Sequence, residues 1–299
     1  MPSSGGDGQV RPWLYPQQVC FVVDDVPAAV QYCEQRFGWG PFYQFRAPVA
    51  EASYRQWRGE KLTEVALGMA GKVQVELLRV LTGRDTTADY QHRFGAGLQH
   101  LGIHCANLDE ALNYLQSLGA TVNEISEYPG VRFAFVNVPT GFGMFELLQS
   151  TKEMAANGAL ASSAKSTGGQ MLFAIDRATI VTDNIDNTLA FYSAAFGWQN
   201  AQAAASTLRY NNRETVLQRY VGQAGALQLE LIQAADGGED PYSAHLRRGN
   251  FGLVHAGGVI DGDLPGGQAL SGQWLQSGEQ FALYNWAGGN GSLQIRQRD

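Results

Sequence analysis

Two stretches of the chain decide the fold: QVCFVVDDVPAAVQYCEQRFGW at residues 18–39 and RATIVTDNIDNTLAFYSAAFGW at residues 177–198. In each stretch an apolar strand is followed by an Asp or Asn that can cap a helix, and then by apolar residues at three-to-four spacing. Both stretches end in Phe-Gly-Trp, 159 residues apart. Self-similarity at a fixed offset is typical of duplicated structural units, so the chain is predicted to contain two related halves.

Shorter matches extend the duplication along the chain. VEL at 75–77 matches LEL at 229–231, GLQH at 97–100 matches GLVH at 252–255, and GMFEL at 143–147 matches GSLQI at 291–295. Within each half, a smaller unit of one strand, one helix and three further strands occurs twice. The pattern predicts four such units, the last with a degraded helix because Pro265, Gly266 and Gly267 replace helix formers.

The repeats also predict domain boundaries. Residues 1–16 are expected to be a flexible N-terminus, 17–150 the first domain, 151–170 a linker and 171–299 a second, degenerate domain. The linker is predicted from composition, since residues 151–170 are rich in Ala, Ser, Gly and Thr. A chain of 299 residues is long enough for two domains of about 100–200 residues each.

Composition and charge argue against several classes of protein. The chain is 44% apolar and 16% charged, with a formal net charge of -7 and no cluster of Lys or Arg, which argues against nucleic acid as a partner. No apolar run reaches the roughly 18 residues that a membrane span needs, and the N-terminus lacks the pattern of a leader peptide. The three cysteines lack C-x-x-C spacing. We expect a cytoplasmic protein with reduced thiols and no membrane partner.

The repeated units resemble the vicinal oxygen chelate superfamily, which includes glyoxalase I, methylmalonyl-CoA epimerase, extradiol dioxygenases and bleomycin-resistance proteins. The resemblance covers nearly everything from Gln17 to Gln297, and the FGWGPFY run at 37–43 is similar to the epimerase-like branch. It implies an α+β fold in which four βαβββ modules pair into two cup-shaped mixed sheets, with the helices outside.

The resemblance also implies a site for one divalent metal ion in the first half. The four ligand positions carry Gln18, Glu76, His100 and Glu146, and the expected ion is Zn, Ni, Co, Mn or Fe. Strand alternation supports this set, because each residue is a polar member of an otherwise apolar strand. Burying such groups without a partner costs on the order of several kcal/mol each, which a divalent cation offsets.

The second half departs from this ligand set. Its equivalent positions carry Arg177, Glu230, His255 and Gln294, so a cation replaces one ligand and an amide replaces a carboxylate. We expect no metal there, and an ion pair between Arg177 and Glu230 in the space that a metal would need. Superfamily members build a site within one half or across both halves. Only pairing within a half places every favourable ligand together here, so the first half is predicted to hold the whole site.

The expected activity is that of a metal-dependent isomerase, epimerase or lyase acting on a hydrophobic carbonyl compound or thioester through a metal-stabilised enolate. Glu146 is the expected base, with Glu64 or His104 as the second acid or base. His104 shares a strand face with His100, and Glu64 precedes Glu76 by an even number of residues. The expected partner is a small-molecule substrate. The sequence does not decide between a monomer and a homodimer.

Two alternatives also stay open. A metal-free small-molecule binding protein of the bleomycin-resistance kind would use the same fold, and metal content distinguishes it from the enzyme. A ring-cleaving dioxygenase is less expected, because neither half supplies two histidines and a carboxylate at the ligand positions.

Overall fold

Each half of the chain folds into an eight-stranded sheet of its own. The computed structural model describes residues 14–139, 144–150, 171–198, 201–210, 212–234, 238–249, 252–261, 270–276, 279–284 and 293–298. The predicted linker, most of the predicted flexible N-terminus and the predicted degraded helix around residue 266 lie outside the described residues.

The strands of the first half form one mixed sheet, called here the N-terminal sheet. They are β1 (Gln18–Val22), β2 (Tyr43–Tyr54), β3 (Trp57–Ala70), β4 (Val73–Thr82), β5 (Gly97–His104), β6 (Thr121–Tyr128), β7 (Val131–Asn137) and β8 (Met144–Ser150). Their order is β2-β3-β4-β1-β5-β8-β7-β6, with β1 parallel to β4 and antiparallel to β5. The edge strands β2 and β6 lie side by side, so the sheet curls into a nearly closed cup.

The strands of the second half close completely and are called here the C-terminal barrel. They are β9 (Arg177–Thr182), β10 (Gln202–Tyr210), β11 (Arg213–Ala224), β12 (Leu227–Gln233), β13 (Leu253–Asp261), β14 (Leu270–Gln276), β15 (Glu279–Tyr284) and β16 (Leu293–Arg298). Their order, β10-β11-β12-β9-β13-β16-β15-β14, repeats that of the N-terminal sheet strand for strand, and β10 pairs with β14 to close the ring. The predicted fold class is therefore confirmed.

Helices α1 (Val26–Tyr32), α2 (Thr86–Phe94), α3 (Leu108–Ser117), α4 (Ile185–Phe196) and α5 (Pro241–Arg247) join the strands. Asp25 caps α1 and Asn184 caps α4, each through its side-chain oxygen, at the two positions that the repeat predicts. Helix α1 continues into a π-helical turn (Cys33–Phe37) that ends at Gly38, and α4 ends at Gly197. The two glycines have φ 67° and 64°, a left-handed conformation that glycine adopts without strain. Among the described residues, no helix combines the length and apolar character that crossing a bilayer needs.

The two halves pack against each other through a shared hydrophobic core. Trp39, from the first Phe-Gly-Trp, donates its indole N–H to the carbonyl of Phe173 at 2.9 Å. The rings of Phe145 and Phe196 lie 5.0 Å apart between their centroids. The faces of the two sheets that join the halves are thus apolar, which leaves the opposite, inner faces for polar groups.

Candidate metal centre

Strand β1 sets the first level of the candidate site. Cys20 lies opposite Glu76 of β4 on one side and opposite His100 of β5 on the other. Directly paired residues point to the same side of a sheet, so all three side chains share the inner face of the N-terminal sheet. The fold thus brings together two residues that stand 24 positions apart in the sequence, Glu76 and His100.

A second level of the inner face holds Gln18 and Glu146. Gly102 of β5 lies opposite Gln18 of β1 and opposite Glu146 of β8. A Cβ at Gly102 would lie 2.0 Å from Gln18 Oε1, so this glycine provides the space that the amide oxygen occupies. Nε2 of the same amide donates to Gln74 Oε1 at 2.9 Å, which orients the oxygen. All four predicted ligands therefore lie on one face of one sheet.

The carboxylates of Glu76 and Glu146 flank the imidazole of His100. Its Nε2 lies 3.4 Å from Glu76 Oε2 and 3.3 Å from Glu146 Oε2. The exposed fraction is 0% for His100, 6% for Glu76, 5% for Glu146 and 1% for Gln18. Two carboxylates so far from water need a cation or protons beside them, because burial penalises an uncompensated charge.

Four atoms of this cluster have no hydrogen-bond partner among the described residues: Gln18 Oε1, Glu76 Oε2, His100 Nε2 and Glu146 Oε2. Each is a common ligand atom for divalent ions, His100 Nε2 when the imidazole is neutral. Leaving such buried groups unsatisfied costs about 1–3 kcal/mol apiece. One nitrogen and three oxygens suit a borderline or hard divalent ion, so the residues present fit the predicted metal, and the donor set does not choose among Zn, Ni, Co, Mn and Fe.

Protons balance the charge of this cluster when no cation does. Burial by itself would lower the pKa of His100, but the neighbouring carboxylates of Glu146 and Glu76 outweigh it and raise that pKa to about 9. Desolvation, followed by the charge of Glu76, raises the pKa of the Glu146 carboxyl above its ordinary value. Metal binding at this site must therefore displace protons, so the affinity for the metal must decrease as the pH is lowered.

A bulge in β5 orients the imidazole. The pairing of β1 with β5 shifts register, so that Cys20 lies opposite His100 and Phe21 lies opposite Leu98, with Gln99 between them. Oε1 of Gln99 lies 3.0 Å from Nδ1 of His100. When Nδ1 donates to this oxygen, the lone pair of neutral imidazole is on Nε2, the atom that faces the carboxylates.

Cys20 is a close neighbour of the site that sequence reasoning missed. Its sulfur and possible ligand atoms of Glu76 and His100 all lie within 4.8 Å of one another, and its side chain is fully buried. Burial and the charges of Glu76 and Glu146 raise the pKa of the thiol well above its ordinary value, so the sulfur keeps its proton. Its place two residues after Gln18 on an alternating strand was the signal that could have found it.

Glu64, a predicted second acid or base, does not reach the site. The hairpin between β3 and β4 places Leu67 opposite Glu76, whereas Glu64 lies opposite Arg79 on the other face. Its carboxylate lies 3.5 Å from the guanidinium of Arg46. Even spacing along the chain was misleading, because the pairing of an antiparallel hairpin decides which residues of its two strands share a face.

His104, the other candidate, lies on the inner face but at its rim. It is two positions beyond Gly102 and opposite Leu148 of β8, and its side chain is exposed. Partial desolvation lowers the pKa of His104, although the charge of Glu76 acts in the opposite direction. The imidazole is therefore neutral at pH 7, a state that can accept a proton.

A buried charged cluster at the edge of the cup was also missed. Lys61 Nζ lies 2.7 Å from Asp85 Oδ2 and 3.2 Å from Glu124 Oε1. Glu124 also accepts hydrogen bonds from the backbone N–H of Thr86 at 3.0 Å and the hydroxyl of Ser126 at 2.8 Å. The cluster joins β3, the start of α2 and β6, so it ties the edge strand β6 to β3, the neighbour of the other edge strand. No local sequence pattern predicts this cluster, because its residues come together only when the sheet curls.

An open cavity of about 920 Å³ lies beside the seam between β2 and β6. Pro48 and Val49 line it from β2, and Tyr128 lines it from β6. Burial raises the pKa of Tyr128, and the charges of Glu146 and Glu76 raise it further, so the hydroxyl stays protonated near those carboxylates. Tyr128 thus borders both the cavity and the candidate metal centre.

The equivalent positions of the C-terminal barrel are arranged differently. Glu230 forms an ion pair with Arg219, whose Nε donates to Oε1, and its charge also acts on Arg177, the partner expected from the repeat. Arg219 stands on β11, where Val221 lies opposite Glu230, so both arginine and glutamate face inward. The partner was missed because it follows from strand register and not from the repeat. Burial, with the charge of His245, lowers the pKa of His255 to about 3, which keeps that imidazole neutral.

Comparisons with known proteins agree with this geometry. Residues 17–135 match the family model of the Glyoxalase/Bleomycin resistance protein/Dioxygenase superfamily. A mutant of 4-hydroxymandelate synthase from Streptomyces coelicolor is similar in structure, with a TM-score of 0.58 and 15% identity over 96% of this chain and 93% of that chain. A fusion of a xylose isomerase-like TIM barrel with 4-hydroxyphenylpyruvate dioxygenase gives a TM-score of 0.51 and 14% identity over 96% of this chain and 49% of that one. No curated protein sequence matches. At these identities the structural likeness shows the fold alone.

Proposed function

We propose a function for a chain whose residues 17–135 form a domain of the Glyoxalase/Bleomycin resistance protein/Dioxygenase superfamily, as the sequence resemblance predicted. The protein is a metal-dependent isomerase, epimerase or lyase that acts on a hydrophobic carbonyl compound. One observation carries the proposal: four unsatisfied ligand atoms, from Gln18, Glu76, His100 and Glu146, are buried on the inner face of one cup.

Glu146 is the base in this proposal. The four residues would hold a divalent cation, which would supply Lewis-acid stabilisation of negative charge on a substrate carbonyl oxygen and so make the adjacent C–H more acidic. The raised pKa of Glu146 brings the carboxyl closer to neutral pH, where a base both accepts and returns a proton efficiently. Its burial also excludes water that would compete for that proton.

Two further residues, one at the rim of the inner face and one in the cavity lining, complete the proposed chemistry. His104, neutral and exposed at the rim of the inner face, is the second acid or base. Tyr128 keeps its proton and borders the cavity, so its hydroxyl donates a hydrogen bond to a polar group of the substrate. Glu64 has no part in the reaction, since it lies on the opposite face of the sheet.

The cavity favours a neutral hydrophobic substrate over an acyl-CoA thioester. Its lining includes Pro48, Val49 and Leu62, with the carboxylates of Glu60 and Glu127. The Lys61 in this lining is already paired with two buried carboxylates. The described lining thus offers no surplus positive charge for the phosphates of a CoA carrier, whereas a cavity of about 920 Å³ accommodates a compact apolar molecule.

Proton exchange in deuterated water tests the proposal. The full chain, loaded with each of the five divalent ions in turn, is incubated with aliphatic and aromatic ketones, 2-hydroxy acids and acyl-CoA thioesters. Deuterium incorporation next to the carbonyl of at least one apolar ketone is expected, and it should be lost in Glu146→Gln and kept in Glu64→Gln. Absence of exchange across all substrates and metals contradicts the enzyme assignment.

A metal-free binding protein is the competing candidate, because aromatic rings line part of the inner face. Phe135 lies edge-on to His100 at 5.1 Å between ring centroids, and Phe133 lies edge-on to Phe135 at 5.9 Å. Binding of an apolar aromatic ligand with equal affinity before and after chelator treatment, together with no bound metal as purified, favours this second function.

A further inference from the structure

Cys20 lies in the middle of the candidate metal centre, and the proposed function gives it no role. The backbone pairs Cys20 with Glu76 of β4 and with His100 of β5, so it stands at the same level of the inner face as two of the four ligands. Gln18 belongs to the next level, opposite Gly102. The side chain of Cys20 is fully buried, so its sulfur is out of contact with solvent.

The sulfur is close enough to two ligands to share an ion with them. Cys20 Sγ and ligand atoms of Glu76 and His100 all lie within 4.8 Å of one another. Ligand atoms on one tetrahedral ion stand about 3.3–3.8 Å apart, given bonds of about 2.3 Å to sulfur and about 2.0–2.2 Å to nitrogen or oxygen. The 3.4 Å between His100 Nε2 and Glu76 Oε2 is already in that range. A shift of the sulfur by about 1 Å, within the reach of a side-chain rotation, completes the set.

The atoms beside the sulfur lack a partner of their own. Glu76 Oε2 and His100 Nε2 have no hydrogen-bond partner among the described residues, and both side chains are more than nine-tenths buried. Polar atoms in this situation destabilise the fold unless a further group satisfies them. An ion that contacts both atoms also lies beside Cys20 Sγ.

The second half of the chain shows how far a side chain at this position reaches. Thr179 of the C-terminal barrel stands 159 residues after Cys20 and has the same strand neighbours in the repeat. Its hydroxyl donates to Glu230 Oε2 at 2.8 Å and lies 3.4 Å from Gln294 Oε1. Glu230 and Gln294 are the equivalents of the two carboxylate ligands of the N-terminal sheet. A side chain at the position of Cys20 therefore points between the ligands.

We propose that Cys20 is a further ligand of the metal centre and that its sulfur selects a thiophilic divalent ion, Zn²⁺ or Co²⁺, over Mn²⁺. The thiol releases its proton to water as the bond between sulfur and metal forms. A thiolate is a soft ligand that discriminates against Mn²⁺, whereas nitrogen and oxygen ligands alone accept all three ions. Cys20 and Glu76 then balance the charge of the ion while Glu146 holds the proton removed from the substrate. This inference rests on the metal centre of the proposed function.

The absorption spectrum of the full chain during titration with Co²⁺ tests the proposal, in a phosphine reductant that adds no thiol. A thiolate bound to Co²⁺ gives a charge-transfer band in the near ultraviolet, which nitrogen and oxygen ligands do not give. The band is expected to grow until one equivalent of Co²⁺ is bound. Binding of one equivalent without the band overturns the role of Cys20 and leaves the four-residue centre standing. Absence of bound Co²⁺ overturns both.

The variant Cys20→Ser assigns the band to one sulfur. It should still bind Co²⁺ through the other ligands, but without the charge-transfer band. The matched control Cys105→Ser, which removes a half-buried thiol of the same half of the chain, should keep the band. A band that persists in Cys20→Ser overturns the proposal.

Competition between Zn²⁺ and Mn²⁺ measures the selection. Cys20→Ser should lower the affinity for Zn²⁺ at least about tenfold and the affinity for Mn²⁺ by less than about twofold. If circular dichroism shows that Cys20→Ser does not fold, Cys20→Thr takes its place in both experiments, since threonine occupies the equivalent position of the C-terminal barrel. Equal losses of affinity for the two ions overturn the proposal.

Discussion

The N-terminal sheet and the C-terminal barrel share strand order, yet two of the four equivalent positions on their inner faces carry different residues. In the N-terminal sheet the unsatisfied atoms of the four equivalent positions are ligand atoms with lone pairs, from Gln18 and Glu146 among others. In the C-terminal barrel the corresponding positions, Arg177 and Gln294, carry unsatisfied donors. Two substitutions in a duplicated scaffold thus place a guanidinium and an amide where the N-terminal sheet has an amide and a carboxylate.

The two sheets also differ in closure. Strands β10 and β14 pair and complete the C-terminal barrel, whereas β2 and β6 only lie side by side in the N-terminal sheet. The cavity lined by Val49 and Tyr128 lies at that open seam. The open cavity thus lies where the N-terminal sheet lacks one strand pairing, and the buried cluster around Lys61 lies near the same seam.

Glu146→Gln copies the C-terminal residue Gln294 into the metal centre and should have the largest effect. An amide can still ligate but is no base near neutral pH, so turnover should fall about 10²- to 10⁴-fold while part of the metal affinity remains. Steady-state kinetics with the substrate found by proton exchange, beside metal titration, measure both. Glu64→Gln is the matched control and should keep full turnover. Retained turnover in Glu146→Gln would transfer the role of base to His104.

Gln18→Arg copies Arg177 into the N-terminal sheet. The guanidinium replaces a ligand and repels the cation, so the affinity for the divalent ion should fall at least about 100-fold. Competition with a chromogenic chelator measures the affinity, and circular dichroism checks the fold. Gln17→Arg puts the same charge one residue earlier, at an exposed position, and should bind metal normally. Equal losses in both variants would show that charge alone, rather than the ligand position, is responsible.

The two buried histidines should give opposite pH dependence to the metal-free protein. The folded-state pKa of His100, about 9, exceeds the ordinary 6.5, so its stabilisation is full below pH 6.5 and is lost as pH rises through 9. For His255, with a pKa of about 3, stabilisation is present above pH 6.5 and is lost as pH falls toward 3. With chelator present, the free energy of unfolding should drop on the order of 3 kcal/mol between pH 6.5 and 9.

Urea unfolding at the two pH values measures this drop. His100→Gln should remove most of it, and His255→Gln should leave it unchanged. A drop of the same size in His100→Gln would assign the pH dependence to other groups.

Gly102→Ala should have the smallest effect on the metal site. The added Cβ collides with Gln18 Oε1, so the amide must move and metal affinity should fall about tenfold. Isothermal titration with the preferred ion measures the change. Gly102→Ala added to Gln18→Ala should cause little further loss, because both variants remove the same ligand. If the losses of metal affinity in the two variants were fully additive, Gly102 would act on the metal site independently of Gln18.

The features that the repeat encodes could be predicted from the sequence. The strand-helix signature of residues 18–39 and its copy at 177–198 predicted both sheets, and equivalent positions in the repeat predicted which residues meet on the inner face. The repeat succeeds because backbone hydrogen bonding and alternation constrain each strand locally.

Sequence patterns did not predict the contacts that depend on pairing between distant strands. The register of one hairpin places Glu64 on the face opposite to the metal centre, contrary to the prediction. Glu230 pairs with Arg219, a residue at a position that the repeat does not single out. Lys61 meets its two carboxylates only because the sheet curls until β3 approaches β6. Such contacts follow from tertiary geometry, which spacing along the chain does not contain.

We expect the first half of the chain to bind a cation and the second half to bind none. Elemental analysis of the full chain, dialysed against each of the five candidate ions and then passed through a desalting column, tests it most directly. We expect one ion per chain in the parent protein and in His255→Ala, and none in His100→Ala. Two ions per chain, or an ion that survives in His100→Ala and disappears in His255→Ala, would contradict it.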